Sequence, residues 1–241
     1  MQTDVILEAG GPAGSGCRLA RKTSRIGTVL GGLGALALAI AATGCAAPQF
    51  TYVGDGSANT YFKVPYGWHQ ISDVSLAAQF KALGSALGKN GSWAIAYDAA
   101  PAPAALHLFS PNATKPFVFA FVVPLNPAVS RTLSTNGLRD VLLPVTPGGR
   151  LAAGQGSAFP LTHFHLLRDT LLEPGQGVHG VSDTFEYTYP GDVTDTFGKV
   201  ALTNSDKSLL YVLMVHCKAA CYSKNRDQID TIMSSFTVRS P

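Results

Sequence analysis

The chain has 241 residues and a formal net charge of +3, with only 14% charged residues and with alanine, glycine and proline in plenty, a composition that suits a high-GC bacterial source. Four basic and two acidic residues lie within the first 44 positions, so the 197 that follow carry a formal charge of +1 and no basic cluster; this excludes the electrostatic footprint of a nucleic-acid-binding protein. Those 197 residues suit one domain with a sizeable core.

Taken in chain order, Arg18, Arg21, Lys22 and Arg25 precede an uncharged apolar run over residues 26–43. A positive segment followed by an apolar one is the pattern of an export signal. Thr43 and Gly44 are small, and Cys45 follows directly. The stretch resembles a bacterial lipoprotein lipobox, with Ala42 where leucine is most common; the resemblance implies cleavage before Cys45 and lipidation of its sulfur. The alternative is an uncleaved single-pass anchor, since the run approaches the ~20 residues that span a bilayer core, although its glycine and alanine content makes a weak permanent span. Either reading puts the rest of the chain outside the cytoplasm, tethered to a membrane. The basic segment is long, and a start downstream of Met1 would leave Cys17 outside the protein.

Residues 45–59 are small, polar and glycine-bearing, the composition of a flexible tether, and the domain is expected over residues 60–241. "TYFKVPYGW" reads as a strand ended by Pro65 and Gly67. In "SDVSLAAQFKALGSALG", Leu76, Phe80, Leu83 and Leu87 share one helical face, with Ser72 or Asp73 as cap and Gly88 as stop. "SWAIAYDA" and "KPFVFAFVVP" read as strands, the second apolar enough for burial on both faces. Between them "APAPAALHLFSPNAT" predicts a loop with one short strand. "STNGLRDVLL" predicts a helix with Leu138, Val141 and Leu142 on one face, and "PGGRLAAGQGSAF" a mobile loop.

Beyond residue 160 the pattern becomes a meander. "LTHFHLLRDTLL" and "VHGVSDTFEYTY" flank the turn "EPGQG", and Val181, Phe185, Tyr187 and Tyr189 share a face by period two. "TFGKVALT" and "SLLYVLMVH" form a further hairpin around "NSDK". Ile229, Ile232, Met233 and Phe236 then mark a closing helix, expected to cover the apolar strand over residues 209–215. The fold class is α+β, an antiparallel sheet covered by helices.

The "F-x-V-P-x-G-W" opening (Phe62, Val64, Pro65, Gly67, Trp68), the hairpin-rich middle and the closing helix running into "SFTV" (residues 235–238) resemble the PsbP-like group, including the LpqN-type lipoproteins of actinobacteria. The resemblance covers residues 60–238. It implies an α/β/α sandwich around an antiparallel sheet and an accessory or binding role, and it carries across no catalytic residue.

Several constellations bear on chemistry. His163 and His165 stand two apart on a predicted strand, so both imidazoles are expected on one face, but two ligands are too few for a defined metal site. The stretch Gly154-Gln155-Gly156-Ser157-Ala158 lacks the order of a nucleophile elbow. Two glycosylation patterns, at Asn90 and Asn112, have no meaning expected in a bacterial lipoprotein. Tyr66, Trp68 and His69 are candidates for a pocket mouth, although such residues more often pin a turn to a sheet.

Cys217 and Cys221, in "CKAAC", are the only cysteines after Cys45, and export makes a disulfide the expected state. The competing readings are a thiolate pair binding copper or zinc with His216, although His216 and Cys217 fall on opposite faces of a strand, and a redox-active pair, which more often has two intervening residues near an early strand. The expectation is a lipid-anchored binding or accessory protein on the extracytoplasmic face of the cell membrane, non-enzymatic and without cofactor. Its partner would be an envelope protein or a small ligand. A metal-handling lipoprotein using Cys217, Cys221, His216, His163 and His165 is the alternative.

Cys45→Ala is expected to leave an unprocessed precursor of higher mass, read by intact-mass spectrometry of the membrane fraction. A mature mass unchanged by the substitution would rule out processing at this cysteine.

Overall fold

The structure is a computed structural model that describes residues 48–57, 59–82, 92–111, 113–155 and 159–239. The export signal, Cys45, the second half of the helix expected after residue 72, and both glycosylation-pattern asparagines lie outside the described residues.

Seven strands form one sheet: β3 (His69–Gln70), β4 (Trp93–Asp98), β5 (Phe117–Pro124), β6 (Thr162–Gly175), β7 (Val178–Tyr189), β8 (Val193–Thr203) and β9 (Leu209–Lys218). Their order is β3-β4-β5-β9-β8-β7-β6, and every neighbouring pair is antiparallel. A second, three-stranded sheet joins β1 (Phe50–Asp55), β2 (Thr60–Pro65) and β10 (Thr237–Val238) in the order β1-β2-β10.

The central strands are apolar at nearly every position, so period-two alternation delivers hydrophobic side chains to both faces. On β5, Val118, Ala120 and Val122 enter one core while Phe117, Phe119 and Phe121 enter the other. Strand β9 does the same, with Leu213, Val215 and Cys217 on the first face and Val212 and Met214 on the second. Each face therefore needs a covering layer.

The first core is closed by Ile229, Ile232 and Met233 of α6 (Arg226–Ser234), which follows the short α5 (Ala219–Lys224), and by Val53, Phe62, Val64 and Val238 of the small sheet. Phe62 meets Phe236 edge-on at 6.4 Å between ring centroids. Gly198 of β8 permits this closeness, because a Cβ there would overlap the Tyr222 hydroxyl and the Met233 sulfur. The second core is closed by Leu76 and Phe80 of α1 (Asp73–Ala82), by Leu108 after a 3-10 turn (Ala105–His107), and by Leu138 of α3 (Thr135–Arg139) with Leu143 and Val145 beyond it. The result is an α/β/α arrangement around an antiparallel sheet.

The structure differs from expectation in several places. Residues 50–55, assigned to the tether on composition, form β1: Phe50, Tyr52 and Val53 suit a strand, and all six residues pair with β2. Strand pairing thus begins before residue 60. Among its described residues, the proline-rich stretch before β5 holds a 3-10 turn and no strand. The glycine-rich loop after residue 146 is partly helical, as α4 (Pro147–Gly154), because Pro147 starts the helix and the Thr146 hydroxyl accepts the Gly149 N–H at 3.0 Å. By the same devices α2 (Pro127–Thr132) begins with Asn126 as cap. Helix α3 stops at Arg139, short of Leu142, because the Asp140 carboxylate accepts the N–H groups of Val145 (2.7 Å) and Thr146 (2.8 Å) and turns the chain. The closing helix is broken at Asn225, whose side chain donates to the Cys221 carbonyl at 2.8 Å.

Ile232 is fully buried between α6 and the sheet. Ile232→Ala is expected to cost about 2 to 5 kcal/mol through lost burial and the cavity left behind, measured as a lowered denaturant midpoint with an unchanged slope. A midpoint equal to wild type would mean that α6 does not seal the first core.

Candidate functional site

Helix α6 packs mainly on β2, β8 and β9, whereas the sheet continues outward through β7 to the edge strand β6. That overhang leaves a groove of about 720 Å³ between α6 and the outer strands, with Leu172, Val200, Leu202, Met233 and Phe236 among its apolar lining. A second cavity of about 340 Å³ lies alongside and is more polar, lined in part by Thr184, Glu186, Thr196, Tyr222 and Arg226. Arg168 and Asp230 border both cavities. The Arg168 guanidinium donates to Asp230 at 2.9 Å and so clasps β6 to α6 across the groove. Both side chains are more than a third exposed, so the clasp contributes little to stability and opens at small cost.

A buried charge network occupies the opposite face. Asp169, Asp183 and Lys199 are register partners across β6, β7 and β8. Lys199 and Asp183 are fully buried with Nζ and Oδ2 3.3 Å apart. The ammonium donates to the carbonyls of Arg139 and, at 3.2 Å, Val141. Arg139 in turn donates to Asp169 at 3.0 and 3.1 Å. The network satisfies carbonyls at the end of α3 and pins that helix to the sheet. Burial pushes the Asp183 carboxyl up to about 6 against the pull of Lys199, and pushes the Lys199 ammonium down to about 8 against the pull of Asp183.

Cys217 and Cys221 are joined by a disulfide with Cα atoms 5.9 Å apart, tying the end of β9 to α5. His216 faces the other way, fully buried against the rings of Phe109, Phe117 and Phe197. Its Nδ1 lies 3.4 Å from Asp195, and its Nε2 accepts the Phe109 N–H at 3.4 Å. The bridge occupies both sulfurs, and the sheet separates them from the imidazole.

The period-two spacing that predicts a same-face pair of His163 and His165 is interrupted. The register slips between Thr162 and His165, and His163 adopts a left-handed conformation (φ 49°). This bulge breaks the period-two alternation on which a shared face depends. His163 sits 3.0 Å from the Thr162 hydroxyl, and His165 is 3.8 Å from Glu186. Among the described residues no three His, Cys, Asp or Glu side chains converge as metal ligands. Trp68 packs against the first core, while Tyr66 and His69 are exposed. A further pair, the buried Asp98 with the part-exposed His107 at 2.6 Å, was not anticipated; Asp98 also accepts the N–H groups of Ala100 and Ala104 and closes the loop after β4.

No protein-family model matches the chain, and no curated protein matches it in sequence. Solved structures show weak similarity of fold. The cyanobacterial PsbP (CyanoP) of Synechocystis sp. PCC 6803 is 16% identical, with 87% of this chain and 99% of that chain covered and a TM-score of 0.46. The Ran-binding protein Mog1p of Saccharomyces cerevisiae is 10% identical over 78% of this chain and 95% of that chain, at a TM-score of 0.41. LpqN, involved in cell envelope biogenesis of Mycobacterium tuberculosis, is 11% identical over 80% and 91% respectively, at 0.35. Likenesses of this strength carry no argument about ligand or activity.

The raised Asp183 carboxyl sets a pH dependence. A carboxyl that holds its proton more tightly when folded contributes stability below its unfolded value of 3.8, and that contribution is lost as pH rises through about 6. Between those limits the stability of wild type is expected to fall relative to that of Asp183→Asn, read as diverging curves of urea midpoint against pH. Parallel curves would contradict a carboxyl perturbed by folding.

Proposed function

We propose that the protein is a lipid-anchored, extracytoplasmic binding module of the bacterial cell envelope that acts without catalysis, and that its ligand or partner seats in the groove between α6 and β6–β7. The groove carries this reading: an apolar floor bordered by the exposed Arg168–Asp230 ion pair and by Glu173 is the build of a recognition cleft, with the charged groups placed to orient what enters. The basic, apolar and small-residue succession before Cys45 supports export and anchoring. The disulfide suits an oxidising compartment. A metal-handling role draws no support from the site residues, since the thiols are spent in the bridge and His216 is sealed in the opposite core.

Placement of a photo-crosslinking phenylalanine analogue at Ser234 or Leu171, which border the groove, is expected to trap a discrete adduct in intact cells. The same analogue at Val129 on α2, also exposed, is the control and is expected to trap none. Equal labelling at all three positions, or none at the groove, would overturn the assignment.

A further inference from the structure

The small sheet has two unlike faces. Its inner face, with Val53, Phe62, Val64 and Val238, is buried in the first core. Its outer face carries Phe50, Tyr52, Tyr61 and Lys63, joined by Arg239 just after β10. Tyr52 is 84% exposed and Tyr61 38% exposed. The face is also cationic, because the Lys63 ammonium stands 4.7 Å over the Phe50 ring and the Arg239 guanidinium 5.1 Å over Tyr61. The ring of Tyr61 lies across Gly54, where a Cβ would collide with it. Asp55, at the end of β1, is engaged by the N–H and hydroxyl of Ser57 at 2.9 and 2.7 Å. Contiguous exposed apolar surface rimmed by polar groups marks a place where a protein meets a partner or a membrane.

We infer that this face lies on the membrane, its rings at the headgroup level and Lys63 and Arg239 against anionic lipid phosphates. The inference rests on the reading that Cys45 carries the lipid. Phe50 opens β1 only five residues after Cys45, a reach of at most about 18 Å for extended chain. A lipid on Cys45 therefore holds the β1–β2 hairpin close against the bilayer, and the element brought closest is the one whose outer face is aromatic and basic. Aromatic residues favour the membrane–water boundary because their rings are apolar at one end and polar at the other. Cations gain from the negative potential of anionic lipids over a short range. Anchor and face thus give two membrane contacts, the arrangement that makes a lipidated protein stay bound in one orientation.

The test uses the chain from Ala46 to Pro241, which contains the ten strands and six helices of the described residues and both of their cores and lacks the lipidated cysteine. Co-sedimentation with vesicles of phosphatidylglycerol, and with vesicles of phosphatidylcholine, separates charge recognition from plain adsorption. Binding is expected to phosphatidylglycerol at low salt, with loss at high salt. Tyr52→Ser combined with Lys63→Ser is expected to weaken it roughly tenfold, and Arg239→Ser alone to weaken it by a smaller factor. None of the side chains removed belongs to either core, so unchanged circular dichroism is expected, and Val129→Ser should bind as wild type. Absence of binding to anionic vesicles, or equal binding by wild type and the double variant, would overturn the membrane face. A failure of lipidation is read separately, from the mass of the Cys45→Ala protein, because the vesicle assay contains no Cys45.

Discussion

A strand that is apolar at consecutive positions cannot turn one side to water, and β5 and β9 are such strands. Their side chains enter two cores on opposite faces of the sheet, so the fold must supply two covering layers from one chain of modest length. The layers are built differently. One is a regular amphipathic helix supported by a small sheet, and its approach depends on the missing side chain at Gly198. The other is a set of short helices and turns with little intrinsic helical drive. That layer is held by specific polar links to the sheet, chiefly from Lys199, which reaches two carbonyls at the end of α3.

The polar links are themselves a constraint. Burying an ammonium and a carboxylate costs more than an apolar pair of the same size would, and breaking one partner leaves the other stranded. Asp183 keeps both oxygens without a hydrogen bond and relies on its ion pair with Lys199. Such a pair contributes less to stability than to geometry: it admits one position for the end of α3 and therefore one arrangement of the second layer. The groove on the other face has the opposite character, with an exposed clasp and a floor contributed by elements whose relative position is set by the first core.

The strands that carry both cores were legible because their periodicity is local: "VHGVSDTFEYTY" coincides with β7, and the apolar run over residues 209–215 lies inside β9. Helix α6 was legible for the same reason, through Ile229, Ile232 and Met233. Strand β1 was obscured by the glycines, serine and asparagine around it, and its partner relation to β2, itself paired with β10 from the far end of the chain, is a long-range fact that composition does not carry. The bulge at His163 depends on how β6 meets β7 and interrupts a spacing that alone implies a shared face. The groove drew least on any local signal, since Arg168 and Asp230 are 62 residues apart and are brought together only by the fold. Charged residues inside strand patterns, Asp183 and Lys199, were the one available hint of the buried network.

The pairing of β1 has a mechanical consequence. Within its sheet β1 is held by β2 alone, and Phe50, at the end nearest the preceding chain, pairs with Pro65 at the open end of the hairpin, while Asp55 and Thr60 pair beside the turn. A pull on the preceding segment therefore loads the ladder from its open end, and its bonds part in succession instead of sharing the force. Six residues released from the strand lengthen the linker by about 20 Å, while β2 stays fastened to β10 and the first core stays closed on its other sides. Under tension the small sheet behaves as a fuse that yields early and lets out slack before the domain itself is strained.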